Sequence, residues 1–314
     1  MTECERLVAE GIVTEDFLKE EAICDYTVTT KQKKVWAIEL DLLREFRRVC
    51  DKYNLKWFGI YGTLLGAVRH QGFIPWDDDL DICMPRKDYE LLTKVYAKEF
   101  ENPYFLQTPY TDKDYAYSFA KLRNSNTSFA TKTFIESSMN QGIFLDIYPL
   151  DESESEGYEK RREEIIAVLK KCSAFMSRNN KYIQNKHTEF AKTQRFFDGD
   201  GEKLYEMIQG IASSSGMKDC EYCSLEVLTI YSSERNRWEK SLFDDVSEVP
   251  FCNTTVFVPS GWDRILKTIY GEYMKYPPVE ERGKGHCVEF LDAETSYIDI
   301  REQYLKGLVV KKPE

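Results

Sequence analysis

The stretch YGTLLGAVRHQGFIPWDDDLDICMP, from Tyr61 to Pro85, constrains this chain more than any other. It joins a small-residue turn, a short helical run, a Gly/Pro loop and four aspartates. Asp77, Asp79 and Asp81 recur at every second position, with Asp78 between them. On a strand entry, side chains alternate faces with a period of two. Asp79 and Asp81 then share one face, which Asp77 can join, while Leu80 and Ile82 face a core. Like charges this close repel and raise one another's pKa. A divalent cation is the simplest means of keeping such a cluster ionised, and a small set of hard oxygens suits magnesium or manganese. A solvated acidic turn is the weaker reading, because Leu80, Ile82, Cys83 and Met84 bury the same segment. A calcium loop of the EF-hand kind is also poor. Ile82 stands where its sharp turn requires Gly, and Asp88 where it requires Glu.

The residues ahead of the cluster suggest what the cation would face. KWFGIY, Lys56–Tyr61, reads as a buried strand, Gly62 and Thr63 follow at its end, and LLGAVRH continues as a helical turn. A strand running through Gly-Thr into a helix is a place to bind phosphate, since free N–H groups and the positive end of the helix dipole point there. Gly62 allows close approach and Thr63 adds a hydroxyl. Arg69 either forks onto phosphate oxygens or pairs with the aspartates. Trp76 anchors the loop or walls a pocket.

Further along, Asp146 stands between Leu145 and Ile147 inside the apolar run of NQGIFLDIYPLD. An isolated charge there is costly unless it is paired or metal-bound. It is expected to converge on the first cluster, giving a metal set of Asp77, Asp79, Asp81 and Asp146; pairing with Arg69 or Lys121 is the alternative. Lys121 and Arg123 lie two apart in YAYSFAKLRN, so on a strand they share a face and line either one cleft or a solvated edge. Arg282, Lys284 and His286 supply donors on a Gly-bearing loop near the C-terminus.

The 314 residues suffice for one large domain or two modest ones, and a hydrophobic content of 42% allows a sizeable core. A net charge of −11 argues against an extended nucleic-acid partner, whose binding runs on phosphate neutralisation. Residues 1–30 read as a loose arm with one short helix. The core runs over 31–155, with an apolar helical stripe at Val35, Ile38, Leu42, Phe46 and Val49 and a helix from Lys87 to Phe100. Residues 156–245 read as a mainly helical lobe, and 246–314 as a strand and helix completing the site, with a peripheral tail. No secretory leader and no membrane span are read from the chain, and its nine cysteines fit reduced thiols in a cytoplasm. Cys220 and Cys223 are spaced C-x-x-C. With Cys172, Cys252, Cys287, His187 or His286 they would complete a zinc site, but plain buried thiols are the better expectation without a second close pair.

Taken together, YGTLLGAVRHQGFIPWDDDLDI, AKLRNSNT, QGIFLDIYPLD and YGEYMKYPPVEERGKGH resemble the LicD family, over about Leu40 to His286. That family includes bacterial phosphocholine transferases and is similar to the fukutin-related sugar-phosphate transferases. The resemblance implies an α+β fold: a nucleotidyltransferase-like core with a short mixed sheet flanked by helices, plus the helical lobe. The family's turn and carboxylates fall on Gly62, Thr63, Asp79, Asp81 and Asp146. It implies magnesium- or manganese-dependent transfer of a phospho-alcohol, phosphocholine foremost, from a CDP-activated donor to a glycan hydroxyl. Tyr61, Gly62, Thr63, Arg69, Lys121, Arg123, Arg282 and His286 would bind substrate, and a choline headgroup would want an aromatic wall from Tyr61, Trp76 or Tyr148. The zinc-binding insert of some relatives does not map onto Cys220 and Cys223. Two other readings stay open: a nucleotidyltransferase placing NMP on a small acceptor, and a non-catalytic metal- or glycan-binding module.

Overall fold

A computed structural model describes residues 1–131, 134–153, 158–177, 200–215, 220–228, 234–283, 286 and 288–308. In chain order the elements are α1 (Glu3–Ala9), β1 (Glu21–Ile23), β2 (Tyr26–Val28), α2 (Thr30–Tyr53), β3 (Phe58–Gly59), α3 (Tyr61–His70), β4 (Leu80–Pro85) and α4 (Arg86–Glu90). Then follow β5 (Tyr104–Gln107), β6 (Ala120–Asn124), β7 (Ser128–Thr131), β8 (Ile143–Ser153), α5 (Tyr158–Ser177), α6 (Asp200–Ala212), β9 (Tyr222–Ser224) and β10 (Arg237–Glu239). The chain continues through β11 (Val246–Phe251), β12 (Thr254–Pro259), α7 (Trp262–Tyr270), β13 (Val288–Asp292) and α8 (Tyr297–Leu305).

A mixed sheet organises these elements. Its order is β10-β9-β8-β4-β3, with β6 lying between β8 and β5. The centre is β8, buried almost throughout, which runs parallel to β4 and antiparallel to β6. Two registers matter for function: Asp81 faces Asp146 across β4 and β8, and Lys121 faces the same Asp146 across β6 and β8. Strands in register place their side chains on the same face, so the three form one row.

Helix α2 covers the sheet. Its stripe of Val35, Ile38, Leu42, Phe46 and Val49 is wholly buried, each side chain contributing roughly 1.5–3 kcal/mol of burial. Thr29 caps it at the start, and Asn54, in the left-handed region, ends it. Trp36 stacks on Phe73 with ring centroids 4.7 Å apart, fixing the helix against the loop that carries the aspartates.

Three expectations need correction and a fourth an addition. Residues 1–30 are not a loose arm: Leu7 is buried, Arg6 of α1 pairs with Asp41 at 2.7 Å, and β1 and β2 form a hairpin. The helix expected over Lys87–Phe100 is α4 followed by a π turn and a 3-10 turn, ending before the buried Phe100. Within 156–245 the mainly helical stretch also holds β9 and β10, which extend the main sheet from β8. The last twenty residues, expected to be peripheral, also participate, since the Tyr297 N–H donates to the Thr127 carbonyl at 2.9 Å and Ile300 of α8 is buried. No described helix is long and apolar enough to cross a membrane.

Candidate active site

The site grows from the junction of β3, α3 and β4. The chain leaves β3 at Ile60, whose N–H donates to the Asp81 carbonyl at 3.1 Å. The Asp81 N–H in turn donates to Thr63 Oγ1 at 2.7 Å. Both backbone groups of Asp81 are thus tied to the start of α3. Thr63 is buried and its hydroxyl faces the Asp81 backbone, a positioning contact rather than the exposed phosphate ligand expected. The turn into α3 puts Tyr61 at φ 45°, in the left-handed region that costs a non-glycine residue roughly 1–2 kcal/mol. Its hydroxyl is held by Asn236 Oδ1 at 2.6 Å, which offsets part of that cost. Gly62 comes next, and a Cβ there would collide with the Asp77 carboxylate. Only glycine lets the first turn of α3 back onto the acids.

From the other side, Gln32 and Trp36 of α2 clamp the loop before β4. Gln32 Nε2 donates to the carbonyls of Pro75 and Asp77 at 2.8 and 3.1 Å, and Trp36 Nε1 donates to the Asp77 carbonyl at 3.1 Å. One turn further along the same helix face is Glu39, which sequence reasoning missed. It is 1% exposed, neither carboxylate oxygen has a hydrogen-bond partner among the described residues, and burial with the charges of Asp79, Asp78, Asp77 and Asp81 pushes its pKa well up. The signal for it in the sequence is an acid flanked by Ile38 and Leu40 in the apolar run Trp36–Leu43, a run that also holds Asp41.

Asp79, Asp81 and Asp146 each present an oxygen within 4.8 Å of the others, and the oxygens of Asp78 and Asp79 lie equally close to a ring nitrogen of His286. These groups can hold a metal ion. The buried carboxylates with the orphaned Glu39 behind them are the donor chemistry a hard divalent cation requires. Burial, then Asp79 and Asp78, raises the pKa of Asp77; burial, then Asp79 and Asp146, raises that of Asp81. Asp79 is pushed up to about 6, chiefly by burial and less by Asp146 and Asp78. Such a cluster stores electrostatic cost that a cation would relieve.

Two side chains hold Asp146 in place. Lys121 pairs with Oδ1, and the Tyr148 hydroxyl lies 3.0 Å from Oδ2 and 3.1 Å from Asp81 Oδ1, bridging the carboxylates. Both expectations for Asp146 therefore hold at once: it pairs with Lys121 and it joins the cluster. His286 Nδ1 meets Asp78 Oδ1 at 3.1 Å, and that hydrogen bond raises its pKa. Lys284 lies outside the described residues.

Among the described residues neither Arg69 nor Arg282 pairs with the carboxylates, which removes the alternative of Arg69 pairing with the aspartates. Arg69 donates to the Tyr273 carbonyl at 2.6 Å and lies over the rings of Tyr276 and Trp76. Arg282 lies 4.7 Å from the Trp76 ring centre and donates to the carbonyls of Cys24 and Pro277 at 2.9 and 3.0 Å. Trp76 is thereby packed within this cluster. Cys220 and Cys223 are buried, and among the described residues no metal-competent group includes either. His187 and Cys287, offered as zinc partners, lie outside the described residues.

Two cavities open beside the acids. One, of about 370 Å³, is lined by Tyr61, Gly62, Asp77, Asp79, Asp81 and Tyr270. The other, of about 350 Å³, lies against Asp146, Tyr148, Lys121, Arg123, Phe144 and His286. Leu228 borders both.

Residues 54–165 match the family described as LicD/FKTN/FKRP, nucleotidyltransferase domain. That span holds Gly62, the four aspartates and Asp146. Over that span the chain carries the nucleotidyltransferase domain of the LicD family. It is a phosphotransferase of the LicD type. Among curated relatives, the lipopolysaccharide cholinephosphotransferase LicD of Haemophilus influenzae is 28% identical over 258 residues, covering 80% of this chain and 94% of that protein. The uncharacterized protein RP689 of Rickettsia prowazekii is 32% identical over 146 residues, 42% of this chain and 51% of that protein.

Proposed function

We propose that this LicD-family chain transfers phosphocholine from CDP-choline to a hydroxyl of a lipopolysaccharide-type cell-surface glycan, on a nucleotidyltransferase-like core that uses magnesium or manganese. The observation that carries this reading is the convergence of Asp79, Asp81 and Asp146 where two cavities meet. A transferase needs room for donor and acceptor on either side of one reacting centre. The resemblance to the Haemophilus enzyme over nearly its whole length supports the cargo and the acceptor class.

In this mechanism Asp77, Asp79, Asp81 and Asp146 would hold the cation. When bound, it supplies charge neutralisation for the diphosphate and the departing CMP. Gly62 brings the first turn of α3 against the same site, so backbone N–H groups there bind phosphate oxygens. Thr63 fixes the Asp81 backbone, and Tyr148 and Lys121 fix the Asp146 carboxylate. Asp146 borders the second cavity and takes the proton of the attacking hydroxyl. Lys121 offsets the charge that remains.

The test is product analysis with choline-labelled CDP-choline, magnesium and lipopolysaccharide. Label on the glycan with equimolar CMP is expected, and EDTA is expected to stop both. Pyrophosphate release from a nucleoside triphosphate, without choline transfer, would replace this reading with the nucleotidyltransferase one.

A further inference from the structure

The cavity beside Asp146 carries a charge that the chemistry above does not use. Arg123 is only 4% exposed, yet its guanidinium hydrogen bonds go to neutral groups, the Gln107 side-chain oxygen and the Gly142 carbonyl. Among the described residues no carboxylate lies within ion-pair distance of it. Asp146, the acid on the same cavity wall, is paired with Lys121. Arginine stays charged when buried, so a cation with only neutral partners is costly unless a ligand completes it.

Two more atoms on this wall lack partners. Gln141 is 2% exposed, and among the described residues neither its side-chain oxygen nor the Thr131 hydroxyl has a hydrogen-bond partner; both residues line the cavity. Buried polar atoms without partners are rare, and here they border a space that a ligand can enter. The rest of the wall is aromatic, including Phe119, Phe144 and Tyr148. Phe144 already carries Lys121 Nζ 3.5 Å from its ring centre and Arg123 at 5.0 Å. A trimethylammonium group would meet two fixed cations on the ring face it prefers.

We propose that this cavity is the acceptor subsite and that it selects a saccharide bearing an anionic substituent, a phosphate or a carboxylate, received by Arg123. This rests on the transferase reading for the word acceptor. Gln141 and Thr131 would engage sugar hydroxyls, the aromatic wall would pack against the ring, and the hydroxyl to be modified would face Asp146. The first cavity, lined by Asp77, Asp79 and Asp81, is left to the nucleotide donor.

Calorimetric titration of the full chain with glucose, glucose 6-phosphate, glucuronate and choline tests this. The two anionic sugars are expected to bind at least tenfold more tightly than glucose, with no detectable binding of choline. Arg123→Gln should remove that preference while leaving CMP affinity unchanged, and Gln141→Leu should weaken all three sugars while keeping the preference. Equal affinity of the wild type for glucose and glucose 6-phosphate would overturn the proposal, whether or not the variants fold. Displacement of glucose 6-phosphate by CMP would overturn it too, by assigning the anion to the donor. Absence of CDP-choline turnover in the wild type sinks the transferase reading instead, and leaves the measured sugar preference to stand as an anion site.

Discussion

Asp77, Asp79 and Asp81 sit above the ordinary carboxylate range because burial and mutual repulsion disfavour their charged forms. A carboxyl whose folded pKa lies above its unfolded value binds more protons in the folded state. Its contribution to stability therefore falls as pH rises, from near the unfolded value of 3.8 through about 6 for Asp79. His286, also raised, acts in the same direction: its contribution is present at low pH and is lost as pH climbs through its folded value. Without a cation, Tm is expected to fall between about pH 5 and about pH 8, by about 2 °C for each kcal/mol lost. Magnesium should reverse the loss at the upper end and change little at the lower. Differential scanning fluorimetry across that range checks both, and a Tm that rises with pH in EDTA contradicts the assignment. Glu39→Gln removes one more raised carboxyl and should flatten the slope. Asp81→Asn should fold, flatten the slope likewise and lower transfer by on the order of a thousandfold or more, measured as labelled glycan. The aspartates and Asp146 were readable because a two-residue acidic period, or an acid alone in an apolar strand, is costly to bury without a cation or a partner. Glu39 was obscured by the helical stripe around it. The fate of Arg69 and Arg282 depends on rings far away in sequence, which no local pattern reports.

At the level of elements, the joint between α3 and β4 decides whether the acids hold their geometry. Thr63→Val keeps the shape but strands the buried Asp81 N–H, a loss of roughly 1–3 kcal/mol. Thr63→Ser retains the acceptor. The valine variant should lose Tm and show a weakened Tm response to magnesium, while the serine variant tracks the wild type. Equal behaviour of the two in both measurements would mean that the hydroxyl does not position Asp81. This joint was only half readable. Gly-Thr at a strand end signalled a strand-to-helix turn, but the strand is two residues long and the helix begins at Tyr61, inside the predicted strand. Lys56–Tyr61 has the apolar content of a strand, and propensity cannot foresee that Tyr61 adopts a positive φ to start the helix. The strands β9 and β10 were hidden for a similar reason. Three-residue strands carry too little alternation to stand out from polar surroundings.

Across the whole molecule, the cluster of Trp76, Tyr276, Arg69 and Arg282 ties together parts of the chain that are distant in sequence. Arg282 reaches the Cys24 carbonyl between β1 and β2, Tyr26 meets Trp76 edge-on at 6.0 Å, and Arg69 holds the carbonyl of Tyr273 from the last turn of α3. The same C-terminal segment carries His286 to Asp78. The cluster therefore has a structural task, holding the C-terminal segment against the aspartate loop, and that sets it apart from a phosphate-binding one. Arg282→Gln removes the two cation–π contacts and weakens the carbonyl contacts, which predicts a loss of about 1–2 kcal/mol in stability. The KM for CDP-choline should stay within about threefold of wild type, a difference below about 0.7 kcal/mol. The two roles make opposite predictions, because a residue that grips the donor raises KM and need not lower Tm. If Arg282→Gln melts like the wild type while KM rises tenfold or more, the guanidinium turns toward the donor during turnover and the clamp is not its main work.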